Sequence, residues 1–140
     1  MQVRQAMTGK AEYISANTTL GQAAQKMRDL DVGFLPIGDK QEDKLQGVVT
    51  DRDITVRGIA AGKDPDKTTV SSVETDKVLY CFESDSLEEA ATSMQNQKVY
   101  RLIVLNSPDQ KRLCGIVSLG DILQHGELKL SAETARAIMA

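Results

Sequence analysis

Two peptides place a hydroxyl three residues ahead of a carboxylate: Gly47-Val48-Val49-Thr50-Asp51-Arg52-Asp53 and Gly115-Ile116-Val117-Ser118-Leu119-Gly120-Asp121. In each, a glycine and two apolar residues predict a buried strand, and the Ser/Thr-x-x-Asp spacing predicts the first turn of a helix. At such a corner the first backbone N–H groups have no intrahelical partner and carry the positive end of the helix dipole, so a phosphate fits there. The hydroxyl of Thr50 or Ser118 adds a hydrogen bond to it. The carboxylate of Asp53 or Asp121 can accept from two adjacent hydroxyls, as a ribose 2′,3′-diol offers. Together these groups form a grip for a ribose phosphate. The same spacing is also an ordinary helix cap, in which hydroxyl and carboxylate serve only the chain's own N–H groups.

The elements that must position these corners occur twice. Val3 to Leu35 realigns on Val70 to Leu102 at a constant shift of 67 residues. After a loop that differs by one residue, Gly47 to Ile54 realigns on Gly115 to Ile122 at a shift of 68. Only two copies of so long a unit argue for paired modules, not a solenoid. Each copy reads as strand, helix, strand, strand, helix. The first strands are expected at Glu12–Ser15 and Val78–Phe82. Leu20, Ala23, Ala24, Met27 and Leu30, and likewise Leu87, Ala90, Ala91 and Met94, follow helical spacing behind the capping signatures Thr19-x-x-Gln22 and Ser86-x-x-Glu89. Phe34–Ile37 and Arg101–Leu105 are apolar runs of strand length, joined hairpin-fashion to Leu45–Thr50 and Leu113–Ser118. Second helices are expected from Asp51 to about Ala61 and from Leu119 to about Gln124, the first stopped by Gly62-Lys63-Asp64-Pro65. The domain reading is therefore a first motif over 1–67, a second over 68–127, and a helical tail over 128–140. The fold class is α/β of the α+β kind.

Each copy alone, at about 60 residues, would bury too little surface to be comfortably stable, so the two are expected to share a core. The net charge of −3 argues against non-specific nucleic-acid binding, which leans on basic surface. Aromatics at 4% with no tryptophan argue against stacked single-strand binding. No run approaches the ~18 apolar residues of a membrane span, and no signal-type stretch opens the chain, so the cytoplasm is the expected location. Cys81 and Cys114 fall in expected strands without C-x-x-C spacing, which suggests buried reduced thiols. His125, the single histidine, precedes Gly126 and reads as a helix C-terminal residue. A metal or redox role for Cys81, Cys114 and His125 is a third, weaker reading that their scattered spacing argues against, so no metal and no cofactor are expected. With one histidine there is no Ser/His/Asp or Cys/His pairing, and no P-loop or Rossmann glycine pattern appears, so no enzyme activity is expected.

The repeats resemble a tandem pair of CBS (cystathionine β-synthase) motifs, a Bateman module. The resemblance is carried by Met7-Thr8, Thr19-Leu20 with Ala23-Ala24 and Met27, Phe34-Leu35-Pro36-Ile37 and Gly47 to Ile54, repeated from Val70 to Ile122. Thr50 to Ile54, with Gly58 to Gly62 and Asp64-Pro65, also resembles stand-alone members of that family. It implies two β-α-β-β-α motifs packed about a pseudo-two-fold axis, with clefts that bind adenine nucleotides or related adenosyl compounds: AMP, ADP, ATP or S-adenosylmethionine. Carried over by position, Thr50 and Ser118 contact phosphate and Asp53 and Asp121 hold the ribose. The base lies against Ile14, Ser15, Leu35 and Pro36 in one cleft and Cys81, Phe82, Leu102 and Ile103 in the other. Arg52, on the first helix start, and Arg101 are the candidate phosphate cations. The copies differ at Pro36 against Ile103 and at Asp51-Arg52 against Leu119-Gly120, so unequal clefts are expected. The resemblance further implies a homodimer and a regulatory role, as a sensor acting on some partner protein. The alternative is a dimerisation or protein-interaction module with no nucleotide ligand.

Overall fold

The computed structural model describes residues 1–9, 11–75 and 79–140. In chain order the elements are α1 (Val3–Ala6), α2 (Leu20–Leu30), β1 (Phe34–Asp39), β2 (Lys44–Thr50), a π-helix (Asp53–Ile59), a 3-10 turn (Val70–Ser72), β3 (Tyr80–Phe82), α3 (Leu87–Gln97), β4 (Arg101–Leu105), β5 (Leu113–Ser118), α4 (Leu119–His125) and α5 (Leu128–Met139). They form two compact units, Glu12–Val78 and Met1–Ala11 with Leu79–Ala140.

In the unit Glu12–Val78, α2 starts on a closed capping box, Gln22 N–H donating to Thr19 Oγ1 (3.2 Å) and Thr19 N–H to Gln22 Oε1 (3.0 Å). Its apolar stripe of Leu20, Ala23 and Met27 packs on Leu35, Ile37 and Val49 from the antiparallel β1–β2 ribbon. Ile54, Val70 and Val73 complete that core. In the other unit, Leu87, Ala90, Ala91 and Met94 of α3 pack on Leu102, Val104 and Val117, with Val3, Ala6 and Ile122. The expected tail helix is present as α5, which lies on α3 and α4 through a partly polar seam: Gln95 Nε2 donates to the buried Thr134 Oγ1 (3.0 Å).

The opening segment of each repeat packs with the body of the other. Thr8 N–H donates to the Ile116 carbonyl (2.9 Å) and Thr75 N–H to the Val48 carbonyl (3.0 Å), equivalent pairs in the two copies. Val3 N–H to Asp85 O and Val70 N–H to Thr18 O (2.8 Å each) are related by the same repeat, as are Leu87 N–H to Met1 O and Leu20 N–H to Thr68 O (2.9 Å each).

Two expected elements differ from their observed forms. Glu12–Ser15 is not a strand: only Ile14 makes a parallel bridge, to Ile37. Ile14 N–H donates to Pro36 O and Gly38 N–H to Ile14 O, and the ladder stops there because proline has no N–H to donate. At the equivalent place in the second copy, Ile103 N–H donates to Leu79 O (2.8 Å), and Tyr80–Phe82 becomes a true strand of a three-stranded sheet. Val78, the first residue of that expected strand, lies outside the described residues. The expected helix from Asp51 is helical at Asp51 and Arg52 and then widens into the π-helix, with Ala60 N–H bonded to Thr55 O and Lys63 N–H to Gly58 O. Three successive β-branched residues, Ile54-Thr55-Val56, and Gly58 are poor α-helix formers, and Gly58 lies tight under Leu20. The second copy has Leu123 and Gln124 at the corresponding places and keeps an α-helix.

Candidate functional site

Both Ser/Thr-x-x-Asp corners stand at strand-to-helix junctions, and both are closed as capping boxes. Thr50 N–H donates to Asp53 Oδ2 (2.9 Å) and Asp53 N–H donates to Thr50 Oγ1 (3.0 Å). Ser118 N–H donates to Asp121 Oδ2 (2.9 Å) and Asp121 N–H donates to Ser118 Oγ (3.2 Å). The helix-cap role of these residues is thus present in atomic detail. Among the described residues the hydrogen bonds to both carboxylates go to Oδ2, so Oδ1 of each can still accept, that of Asp53 with the Arg57 guanidinium beside it. The corners differ in their hydroxyls. Ser118 Oγ lies 3.1 Å from Asp121 Oδ2 and spends its proton there, whereas Thr50 Oγ1 only accepts from Asp53 N–H and keeps its proton to donate.

The cations are arranged differently from the sequence reading. Arg52 is exposed, and its N–H donates to the neighbouring Asp51 carboxylate (2.8 Å). The cation beside Asp53 is Arg57, one turn on, with Nη1 3.9 Å from Asp53 Oδ1 and donating to the Glu74 carbonyl (2.9 Å). Sequence reasoning missed Arg57, although an Asp four residues ahead of an Arg on a helix was the signal available. Arg101 is the β-ladder partner of Ser118, so the two project from the same face of the sheet side by side. Its guanidinium sits 4.6 Å from the centroid of the Tyr100 ring.

Strand alternation sorts the remaining candidates. Leu35, Ile14, Cys81 and Leu102 point into the helix-packed cores, so only their main chains are available to a ligand. On the opposite face of β1–β2 lie Thr50 and Pro36, with Ser15 and Tyr13 flanking Ile14 on that side. In the other unit the corresponding face carries Ser118, Arg101 and Ile103, with Phe82 edge-on to Tyr80 at 5.7 Å. A cavity of about 410 Å³ opens at Tyr13, Ser15, Asn17, Gly38, Lys40 and Gln46. The Tyr13 ring lies where a Cβ on Gly38 would be, 2.6 Å away, so only glycine fits there. Tyr13 is 3% exposed, and its hydroxyl is buried. Burial first, then the charge of the nearby Asp43 carboxylate and hydrogen bonding to it, push its pKa up to about 12.

Burial also pushes the Cys81 thiol up to about 12, with the Asp85 charge adding to it, so the sulfur stays protonated and is a poor metal ligand or nucleophile. Among the described residues no three His, Cys, Asp or Glu side chains converge as a metal site would require. Among them, too, no helix is long and apolar enough to cross a membrane.

The family model for the CBS domain matches residues 3–57 and again residues 70–127. The chain belongs to the CBS-domain family. One relative of this CBS pair is Hypoxic response protein 1 of Mycobacterium tuberculosis, 38% identical over 123 residues that cover 87% of this chain and 82% of the relative. A crystal structure of Hypoxic Response Protein I with two coordinated zinc ions matches with a TM-score of 0.78 at 36% identity, covering 89% of this chain and 98% of that one. The CBS domain protein PAE2072 of Pyrobaculum aerophilum, complexed with AMP, matches with a TM-score of 0.80 at 18% identity over 97% of this chain and 99% of that one. The CBS domain pair of MJ0100, in complex with 5-methylthioadenosine and S-adenosyl-L-methionine, matches at 0.76 and 24% identity over 89% and 94%. At those identities the likeness is one of fold, and it bears out the mixed helix-and-sheet architecture expected of a CBS pair.

Proposed function

We propose that this CBS pair is a regulatory, non-catalytic module of the cytoplasm that binds an adenosine nucleotide or related adenosyl ligand and acts as a sensor. The observation that carries the reading is the state of the first corner. Asp53 keeps Oδ1 for a ribose diol, Thr50 keeps its hydroxyl proton for a phosphate, and Arg57 supplies a cation beside them. In support, two proteins of the same fold hold AMP or methylthioadenosine and S-adenosylmethionine. Thr50, Asp53 and Arg57, with Ser15 and Pro36 on the same face and the main chain of Ile14 and Leu35, are the first site. Ser118, Asp121, Arg101, Phe82 and Ile103, with the main chain of Cys81 and Leu102, are the second. The second is the weaker phosphate site, because Ser118 has spent its proton within the box.

Thermal melting with AMP, ADP, ATP and S-adenosylmethionine tests this directly. A ligand at about 100 times its Kd adds roughly 2.7 kcal/mol, a shift of several degrees in Tm. Asp53→Ala would remove the cap as well as the ligand contact, so the informative variant is Asp53→Asn, whose amide oxygen can take the place of Oδ2 as the Thr50 acceptor while its NH2 replaces the Oδ1 that faces the ligand. We expect it to melt near the wild type without ligand and to lose most of the shift. No shift with any of the four ligands overturns the reading.

A second reading, an interaction module that assembles as a homodimer or on another protein, is favoured by the boxes being satisfied by their own chain. Large apolar side chains also stand exposed on helices, among them Leu123, Leu128 and Met139. Sedimentation of ligand-free and ligand-saturated protein separates the two. Under the sensor reading AMP changes Tm whatever the assembly; under the other, only protein concentration does.

A further inference from the structure

We propose that Asp51 sets how many phosphates the first site accepts, favouring a nucleoside monophosphate over its di- and triphosphates. This rests on the nucleotide reading above and deepens it by naming the ligand class. Donors at the first corner are few. Asp51 N–H donates to the Gly33 carbonyl (2.9 Å), Arg52 N–H to Asp51 Oδ1 (2.8 Å) and Asp53 N–H to Thr50 Oγ1 (3.0 Å). These amides open the helix, and the chain's own acceptors take all of them. What remains for a phosphate is the Thr50 hydroxyl proton and the Arg57 guanidinium. That guanidinium is itself shared with Asp53 Oδ1 (3.9 Å) and the Glu74 carbonyl (2.9 Å). One phosphate uses up this supply.

Charge then selects against any longer chain of phosphates. Asp51 Oδ1 and Thr50 Oγ1 accept from consecutive amides of one turn, so the Asp51 carboxylate stands beside whatever phosphate Thr50 holds. That separation is well inside the ~10 Å over which 0.1 M salt screens charge. Arg52 is exposed one position further on, and neighbouring positions of a helix do not face each other. A first phosphate offsets the repulsion through Thr50 and Arg57. Each further phosphate adds about one negative charge and finds no further donor among these groups; like charges several Å apart in water-accessible surroundings then weaken binding about twofold per charge. The second copy lacks the device. Leu119 stands in the place of Asp51, its N–H donates to the Tyr100 carbonyl (2.8 Å), and its side chain carries no charge.

The test is calorimetric titration of AMP and of magnesium-free ATP, in low salt, into the intact chain as wild type and as Asp51→Asn. The asparagine oxygen can still accept from Arg52 N–H, so the ligand-free Tm should stay near that of the wild type. The wild type should bind AMP more tightly than ATP. Asp51→Asn should gain affinity for both ligands, and about threefold more for ATP than for AMP. At about 0.5 M salt that difference should shrink, because screening then acts over a few Å. The second copy carries Leu119 at this position, so a change on substituting Asp51 reports on the first site. Equal gains for the two ligands overturn the proposal and leave the nucleotide reading standing. Tighter binding of ATP than of AMP by the wild type does the same. Binding of neither ligand by the wild type overturns the proposal together with the nucleotide form of the reading above.

Discussion

Asp53 and Asp121 show how one side chain serves folding and recognition together. Each spends Oδ2 on its own corner, which fixes the orientation of Oδ1 without any ligand present. Such preorganisation lowers the ordering cost of binding. At the same scale, Tyr13 and Cys81 tie stability to alkaline pH. Both acids have folded pKa values raised to about 12, from 10.0 and 9.0. As pH rises, the unfolded chain therefore gives up these protons first, and deprotonation favours unfolding. The stability they contribute is fully present below pH 9, and it is lost between there and about 12, at up to ~1.4 kcal/mol per pH unit for each group. Urea midpoints between about pH 8 and about pH 11 should fall from near 9 in the wild type and only from near 10 in Cys81→Ala. A variant that falls in parallel with the wild type would show that Cys81 is not the group responsible.

At the scale of elements, small sequence differences between the copies change their shape. Pro36 removes one rung and leaves a two-stranded ribbon, whereas Ile103 supplies it and makes a three-stranded sheet. The glycines that open the two site peptides look alike in sequence but face different neighbours. A Cβ on Gly47 would meet the Glu74 carboxylate 2.6 Å away, the mobile end of a side chain. A Cβ on Gly115 would collide with the Thr8 carbonyl, which is backbone held by the Thr8–Ile116 bridge. Gly115→Ala should therefore cost about 2 kcal/mol or more, and Gly47→Ala about 1 kcal/mol or less. Denaturant unfolding of the two variants measures the difference, and equal losses would contradict the bridge as its cause.

At the scale of the whole molecule, the exchange of opening segments makes the repeats interdependent. Residues 1–67 carry the Val3–Ala6 helix that the other unit's core needs, and residues 68–140 carry the Val70 and Val73 that complete the first core. Expressed separately, the two fragments should show little cooperative unfolding by circular dichroism, and mixing them should restore a single transition. Cooperative melting of either fragment alone near the Tm of the intact chain would refute this. The duplication, the capping boxes at Thr19 and Ser86, the antiparallel pairing of β1–β2 and β4–β5, and both Ser/Thr-x-x-Asp corners were legible in the sequence. Each depends on residues within one turn or one hairpin, where local spacing and periodicity are the physics. Which repeat's opening segment joins which core, whether Glu12–Ser15 completes a ladder, and that Arg57 rather than Arg52 stands beside Asp53 were decided only by tertiary structure. Those outcomes depend on partners dozens of residues away, on a missing proline N–H, and on the pitch of a widened helix, none of which is expressed in the spacing of neighbouring residues.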